Sequence, residues 1–204
     1  MSKLSCSFTL GKASAPNNAN LEHNNRETLA DNIDVARIGN NITYIQKDVR
    51  ETYNELFGEA LAEYNAKQTR AHRKIEDYYE HIENCRWEEA FYEVIIQYGD
   101  IDSAPVGSYD GELAVKMLHE YIMNFIERNK NLHVFSAALH LDETYPHAHI
   151  DFIPFYTEGR KNGLSKGVSI LACCQVGRKI LFHRTHIRIL TQLSHIKIRL
   201  YAYL

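Results

Sequence analysis

Two strand-like runs separated by a five-residue turn enclose three histidines, and no other feature of the sequence constrains the fold as much. Residues 132–141 and 147–155 are rich in β-branched and aromatic residues, and the DETYP segment between them suits a tight turn. This spacing predicts two paired antiparallel strands. His147 and His149 then share one face, because alternate residues of a strand point the same way. His140 ends the preceding strand, so we expect three imidazoles to converge at the turn.

Three converging histidines predict a metal site. Three protein ligands leave positions on the ion open, which is typical of a catalytic rather than a structural metal. Asp142 and Glu143 lie in the turn, where a carboxylate can bind the ion, orient a histidine or accept a proton. On ligand softness alone, imidazoles favour zinc over magnesium.

The rest of the chain alternates strand-like and helix-like patterns. Residues 4–10 and 90–98 predict further strands. Apolar residues at steps of three and four predict two amphipathic helices over about 47–89 and another over about 110–129. We therefore expect an α+β fold, with helices packed on a largely antiparallel sheet.

Local patterns add three expectations. Residues 42–45 favour either a short strand or the start of a helix. Asp110 is expected to cap the helix that follows it. On the strand of residues 132–141, His140 is expected to share its face with Val134, Ser136 and Ala138, whereas Ala148, Ile150 and Phe152 are expected to face apolar packing.

Charge is distributed unevenly along the chain. Residues 159–204 contain nine of the 23 basic residues and no acid, whereas all 26 acids precede them. Such asymmetry favours nucleic-acid or membrane contact. The Ile- and Leu-rich composition of the basic tail, residues 170–204, suits neither a free arm nor an amphipathic helix. We therefore interpret this tail as frameshifted sequence, or as sequence that is not homologous to relatives of the preceding domain. The alternative is a DNA clamp with phosphate contacts from Arg178, Lys179, Arg184, Arg188, Lys197 and Arg199.

Other compositional features exclude secreted and membrane-spanning proteins. No apolar run approaches the roughly 18 residues that a membrane-spanning helix needs, so no membrane insertion is expected. The four cysteines have no paired spacing. Free thiols in a reducing compartment are the expected state, which favours a cytoplasmic location.

The pattern HxDExxPHxHxxxxP, from His140 to Pro154, resembles the metal motif of the MobV, or Pre/Mob, plasmid relaxases, members of the histidine–hydrophobic–histidine endonucleases. His23-Asn24-Asn25-Arg26 resembles the HNxR motif of that family. Further segments resemble a weaker second motif and the family's continuation, namely Asn32-Ile33-Asp34, Arg37, Asn41 and Tyr44, and the GRKNGLS segment at 159–165.

The likeness covers residues 1–169, which we expect to form a relaxase domain with a helical insertion at about 47–89. Proteins of the family continue further, so we expect this chain to be truncated or frameshifted after about residue 169.

This resemblance implies a plasmid mobilisation and recombination enzyme of bacterial mobile elements. Family members nick one DNA strand at a transfer origin by metal-dependent transesterification, stay attached to its 5′ phosphate, and rejoin the ends. The resemblance implies Mn²⁺ or Mg²⁺ as the metal, with zinc as the alternative. It also implies residue roles: His23 as the nucleophile, Arg26 and Glu143 as further catalytic residues, His140, His147 and His149 as metal ligands, and Arg37, Tyr44, Arg160 and Lys161 as DNA-binding residues.

The implied partners are single-stranded or supercoiled plasmid DNA at a transfer origin, with a coupling protein or accessory factors. Two alternatives remain open. One is a rolling-circle replication initiator or transposase of the same superfamily, in which Tyr44 attacks instead of His23. The other is a non-catalytic DNA-binding remnant. A zinc hydrolase of small substrates is disfavoured, because the sequence has no small-molecule pocket signature.

Overall fold

A computed structural model describes residues 6–13, 19–159 and 163–173 of the 204-residue chain. The strands are β1 Cys6–Lys12, β2 Ile42–Gln46, β3 Tyr92–Tyr98, β4 Leu132–His140, β5 His147–Tyr156 and β6 Gly167–Val168. The α-helices are α1 Leu21–Asn24, α2 Val49–Ala66, α3 Tyr78–Glu83, α4 Tyr109–Arg128 and α5 Ile170–Cys173. Short 3₁₀ turns cover Val35–Asn40 and Ala71–Arg73.

The strands form an antiparallel sheet in the order β1-β3-β5-β4-β2, and β6 pairs with the end of β5. Consecutive strands β4 and β5 are neighbours, as the short turn between them predicts. His140 pairs with His147, and Ala138 pairs with His149. The predicted α+β fold, with helices packed on an antiparallel sheet, is confirmed.

Each face of the sheet has its own hydrophobic cluster. On one face, α4 packs against Ala148, Ile150 and Phe152 of β5, as expected from their alternation. On the other face, α2 and α3 pack against residues that include Ile153. Because alternate residues share a face, the odd-numbered residues of β5 lead from this second cluster to the histidines. The histidines therefore lie on the α2 and α3 side, at the opposite end of β5.

A β-bulge at Phe135 divides β4 into two parts. The register with β5 shifts between Val134 and Ser136. Ser136 and Ala138 share the face of His140, as predicted, but Val134 pairs with Phe152 and packs on the α4 side. The expectation for Val134 was wrong, because one inserted residue reverses the two-residue alternation.

Two other local expectations are resolved. Residues 42–45 belong to a strand rather than a helix. The N-cap of α4 is Ser108, whose hydroxyl oxygen accepts a hydrogen bond from the backbone N–H of Gly111 at 2.9 Å. Asp110 was the wrong cap and lies in the first turn, where its charge still favours the helix dipole.

Several sequence expectations fall on residues outside the described ranges. Arg160, Lys161 and nearly all of the basic tail are among them. From the start of the predicted tail, Ile170 and Cys173 of α5 are buried in the α4-side cluster. Among the helices that the structure describes, none is both long and apolar enough to cross a membrane.

Candidate active site

The three predicted metal ligands lie together at the end of the β4–β5 pair. The ring centroids of His140 and His149 are 4.8 Å apart, and the ring of His147 is 5.3 Å from the first and 5.0 Å from the second. All three side chains are buried. The strand register explains this convergence, because His140 pairs directly with His147 and His149 is the next residue on that face.

His140 and His149 each use one ring nitrogen to bind the protein and leave the other without a partner. His140 Nε2 lies 3.0 Å from the carbonyl oxygen of Asn24, and His149 Nδ1 lies 2.6 Å from Glu93 Oε1. These oxygens only accept, so the contacted nitrogens donate their protons. His140 Nδ1 and His149 Nε2 are buried, and no atom of the described chain forms a hydrogen bond with either. Their lone pairs are therefore available to a metal ion.

His147 and Glu143 extend this set of donors. His147 Nδ1 lies 3.1 Å from the carbonyl oxygen of Tyr145, and its Nε2 lies 3.6 Å from Glu143 Oε1. Two overlapping groups have ligand atoms that all lie within 4.8 Å of one another: His140, Glu143 and His147, and His23, His140 and His149. Buried, unpartnered imidazole nitrogens beside a carboxylate fit a divalent cation.

Burial keeps two of these histidines neutral. Desolvation, with neighbouring charge from His149, lowers the pKa of His140 to about 3. Desolvation likewise lowers the pKa of His147 to about 4, with the charge of Glu143 opposing it. Neutral imidazole is the form that binds metal, so this environment prepares the site for a cation near neutral pH.

His23 lies directly beside this cluster. It belongs to the short helix α1, whose N-cap Asn20 accepts a hydrogen bond from the His23 backbone N–H at 3.1 Å. Its ring centroid is 6.0 Å from that of His140 and 5.9 Å from that of His149. The His23 side chain is 23% exposed, so it combines access to solvent with proximity to the buried donors.

Arg26 connects His23 to the β4–β5 turn. Its Nη1 lies 3.1 Å from His23 Nε2, and its Nη2 lies 2.6 Å from Asp142 Oδ1 and 2.9 Å from Glu143 Oε1. A guanidinium only donates, so this contact leaves the Nε2 lone pair of His23 as the acceptor. The backbone φ of Arg26 is +58°, a left-handed value that non-glycine residues rarely adopt and that is often found at functional sites.

Both turn carboxylates are ionised at neutral pH. Desolvation raises the pKa of Glu143, but its contacts with His23 and Arg26 and the charge of His147 outweigh it and lower the pKa to about 2. Desolvation also raises the pKa of Asp142, and hydrogen bonds from Arg26 and Asn41 produce a net lowering. The two negative charges therefore outnumber the single positive charge of Arg26, which pairs with both carboxylates.

Residues of the weaker second motif hold this turn in place. Asn32 Nδ2 donates to Glu143 Oε2 at 2.8 Å, and Asn41 Nδ2 donates to Asp142 Oδ2 at 2.6 Å. The backbone N–H of Asp34 donates to the carbonyl oxygen of Asp142 at 2.7 Å. These contacts give the motif a structural role beside the predicted site.

A buried polar layer beneath the site was missed from sequence. Asn24 Nδ2 donates to Glu93 Oε1 at 2.7 Å and to Asp151 Oδ2 at 3.1 Å. Desolvation and the adjacent Glu93 raise the pKa of Asp151 to about 8. Two signals were present: Asp151 follows His149 by two residues on the same face, and Glu93 is the one charged residue of β3.

The predicted DNA-binding residues Arg37 and Tyr44 occupy different places. Arg37 lies near the turn, with its Nη1 3.3 Å from the carbonyl oxygen of Leu141. Tyr44 is the extra residue of a bulge in β2, packs on the α4 side, and has its hydroxyl 2.7 Å from His119 Nδ1. The structure therefore places Tyr44 away from the three predicted metal ligands. The ring of Tyr145, in contrast, lies 5.9 Å from that of His147.

Solved structures similar to this chain include DNA-bound relaxase domains of MobM (MOBV; Mob_Pre), each with manganese and plasmid pMV158 oriT DNA of 22 nucleotides. One, at pH 4.6, is 23% identical over 98% of this chain and 84% of that chain, with a TM-score of 0.47. Another, at pH 5.5, is 18% identical over 94% of this chain and 100% of that chain, with a TM-score of 0.45. A search of curated proteins gave no significant match.

A family model provides the assignment. The model of the plasmid recombination enzymes (Mob_Pre) matches residues 16–166. The matched segment runs from just before α1 through the β4–β5 pair, and so includes His23, Arg26 and the three converging histidines. This chain belongs to the plasmid recombination enzyme family, Mob_Pre.

Proposed function

We propose that this chain is a relaxase that nicks one strand of plasmid DNA at a transfer origin and later rejoins it, with His23 as the nucleophile. The observation that carries this proposal is the position of His23. Its half-buried ring lies about 6 Å from the rings of His140 and His149 and within 3.1 Å of the Arg26 guanidinium. Membership of the plasmid recombination enzymes supports DNA as the substrate.

The proposed reaction is a transesterification at phosphorus. The lone pair of a His23 ring nitrogen forms a bond to the scissile phosphorus while the bond from phosphorus to the 3′ oxygen breaks. The 3′ oxygen leaves and takes up one proton, the His23 ring loses the proton carried by its other nitrogen, and the 5′ phosphate stays on His23 as a phosphoramidate. In the reverse step a 3′ hydroxyl attacks phosphorus and the P–N bond breaks, so rejoining needs no external energy source.

The neighbouring charged groups have separate proposed roles. Arg26 places a fixed positive charge where the phosphate oxygens would lie. Glu143 is ionised and lies 3.5 Å from His23 Nε2, so it is suited to bind the cation or to accept a proton during the reaction. Holding Arg26 between two carboxylates keeps it oriented without DNA.

A divalent cation is proposed at the buried donors of His140, His147 and His149, with Glu143 beside them. We propose Mn²⁺ or Mg²⁺, with zinc as the alternative that imidazole ligands favour. When bound, such a cation polarises the phosphate and stabilises the charge that develops on its oxygens.

A covalent-adduct assay tests the proposal. The protein is mixed with manganese and single-stranded oligonucleotides tiling the DNA upstream of its gene, and products are separated on a denaturing gel. We expect a slower protein–DNA band that is absent in His23→Ala and present in Tyr44→Phe and Tyr145→Phe. A coupling protein and accessory factors, which are further proposed partners, are left out so that the band reports this chain alone.

Other outcomes separate the alternatives. Loss of the band in Tyr145→Phe or Tyr44→Phe, with the band retained in His23→Ala, would assign the chain to tyrosine-dependent chemistry. Absence of a band on every tile, with the folded and metal-loaded protein still shifting DNA in a native gel, would favour a non-catalytic DNA-binding remnant.

A further inference from the structure

Trp87 lies almost entirely outside the protein, although tryptophan side chains are usually well buried. It is 81% exposed and belongs to the segment of residues 84–91 that joins α3 to β3. It is the only tryptophan in the chain. Solvating so large an apolar ring is unfavourable, and a partner that covers the ring would remove this cost.

The surroundings of Trp87 favour a nucleic-acid base as that partner. The Arg86 guanidinium lies 5.2 Å from the centroid of the Trp87 ring. Both adjacent acids are engaged elsewhere: Glu88 binds Ser169 and the backbone of Ile170, and Glu89 pairs with Lys12 at 3.6 Å. An exposed aromatic ring next to an arginine is the combination that single-strand binding proteins use to stack bases and contact phosphates.

The segment of residues 84–91 also lies on the appropriate side of the sheet. It ends at Ala90 and Phe91, which are buried in the cluster of α2 and α3, on the same face as the histidines. Ile95 of β3 pairs with His149, and the four residues from Ile95 back to Phe91 span about 13 Å along an extended strand. This separation is that of Phe91, and Trp87 lies four residues further from the histidines along the chain.

We propose that Trp87, with Arg86, is a stacking platform for one base of the single-stranded DNA that carries the scissile phosphate. The proposal rests on the proposed relaxase function, because it takes the same DNA strand as the ligand. The ring stacks on a base without reading its identity, and Arg86 contributes charge for the adjoining phosphate. This platform orients the strand whose phosphate is presented to His23.

The intrinsic fluorescence of Trp87 can be used to test whether a base stacks on its ring. Because the chain has no other tryptophan, fluorescence excited where tyrosine does not absorb reports on this residue alone. The full-length protein, with chelator present to prevent cleavage, is titrated with the tiled oligonucleotides, and the anisotropy of a labelled strand measures binding independently. We expect tryptophan quenching to follow the same binding curve as the anisotropy. In a series with one abasic position at a time, we expect quenching to be lost at one position.

Variants measure the energetic contribution. Trp87→Ala is expected to weaken single-strand binding by about five- to a hundredfold, the range for losing one aromatic–base stack, whereas Trp87→Phe should retain most of the affinity. Met123→Ala, which removes an exposed apolar side chain from α4 on the opposite face, should have no effect. Unchanged melting temperatures show that each variant folds.

Binding by anisotropy with unchanged tryptophan fluorescence, or wild-type affinity in Trp87→Ala, would overturn the stacking platform. In that case the His23-dependent adduct would still form, and the proposed function would stand. If no tile binds and no tile gives an adduct, both proposals fail together.

Discussion

Asn24 connects the two halves of the proposed site. Its side-chain amide binds Glu93 and Asp151 on the sheet, while its carbonyl oxygen binds the ring of His140. The residue before it in α1 is His23. A shift of α1 would therefore disturb the orientation of a proposed metal ligand as well as the position of the proposed nucleophile. At the scale of single residues, His23 and His140 therefore belong to one hydrogen-bonded unit.

Glu93→Gln is expected to weaken metal binding. Glu93 Oε1 lies 2.6 Å from His149 Nδ1, and a carboxylate there orients the ring and raises the basicity of its other nitrogen. Replacing such a partner typically costs about 10- to 100-fold in metal affinity. Calorimetric titration with Mn²⁺ measures this. Glu89→Gln, which removes a carboxylate paired with Lys12 away from the site, is the matched control, and equal affinity in the two variants would contradict the assignment of His149 as a ligand.

Asp151→Asn is expected to change the pH dependence of stability. The pKa of Asp151 is raised from 3.8 to about 8 by desolvation, so between these values the folded state holds a proton that the unfolded state has lost. The wild type is therefore destabilised as the pH rises towards 8. Asn imitates the protonated form and removes this effect. As the pH rises, the free energy of unfolding of the variant should therefore increase relative to that of the wild type, by at most about 1.4 kcal/mol per pH unit.

Urea unfolding of the metal-free proteins at about pH 5 and about pH 8 measures the difference between the two free energies of unfolding. We expect the difference to favour Asp151→Asn more strongly at the higher pH. A difference independent of pH would show that Asp151 is already ionised in the folded protein.

The residues that were predicted and those that were missed differ in kind. His140, His147 and His149 stand out because their spacing alone places them together. Glu93 reaches the site only through the pairing of β3 with β5. Sequence spacing does not report a register between strands that are distant in the chain, so Glu93 could be noticed as a charge in a strand but not assigned to His149.

At the scale of elements, the β4–β5 pair and α4 were predictable from sequence. Which residues of a strand face which side of the sheet was predictable only where the strand has no bulge. Local alternation predicts which residues of an undisturbed strand share a face, and Ala148, Ile150 and Phe152 follow it. The bulges at Phe135 and Tyr44 are shifts in the register between paired strands, which local alternation does not report. For that reason the expectation for Val134 failed although the strand itself was correct.

Two glycine-to-alanine changes are expected to have opposite effects on stability. A Cβ at Gly167 of β6 would lie 2.6 Å from the hydroxyl oxygen of Tyr156 and 2.7 Å from that of Tyr78. Because Tyr78 also accepts a hydrogen bond from the backbone N–H of Val168, we expect Gly167→Ala to lower the free energy of unfolding by about 1–3 kcal/mol.

Gly58 is the comparison. It lies inside α2, and no atom in the described part of the chain, apart from its own helix backbone and chain neighbours, comes within 4 Å of a Cβ there. Gly58→Ala should raise the free energy of unfolding by about 0.5–1 kcal/mol through helix propensity. Urea denaturation of both variants tests the pair, and equal effects would contradict the packing of β6 against the two tyrosines.

At the scale of the whole molecule, the basic tail and the residues of the proposed site occupy separate parts of the sequence. All of the site residues precede the basic tail, and Arg26 is the cation held closest to His23 among the described residues. Whether the tail contributes to DNA binding is a separate question from whether the site performs chemistry. The boundary at about residue 169 and the foreign origin of the tail stay predictions.

A chain ending at Cys173 tests the tail. If residues 174–204 are non-homologous, this shortened protein should keep the melting temperature of the full chain, form the same adduct and show the same dependence of DNA affinity on salt. A basic clamp predicts otherwise, because each lost phosphate contact reduces the slope of log affinity against log salt by about 0.7 for single strands. A shallower slope with an unchanged melting temperature would therefore favour the clamp.

The bulge in β4 sets a limit on how this fold can vary. From Ser136 to His140 the even-numbered residues of β4 face the side of the sheet that carries the histidines. In the part of β4 before Ser136, the odd-numbered residues face that side. One inserted residue thus lets a single strand supply a polar surface at one end and a hydrophobic surface at the other. Deleting Phe135 would join two segments of opposite phase, so that one of them would have to exchange its inner and outer side chains. The residue count of β4 is therefore fixed by the need to keep both the core and the site in place.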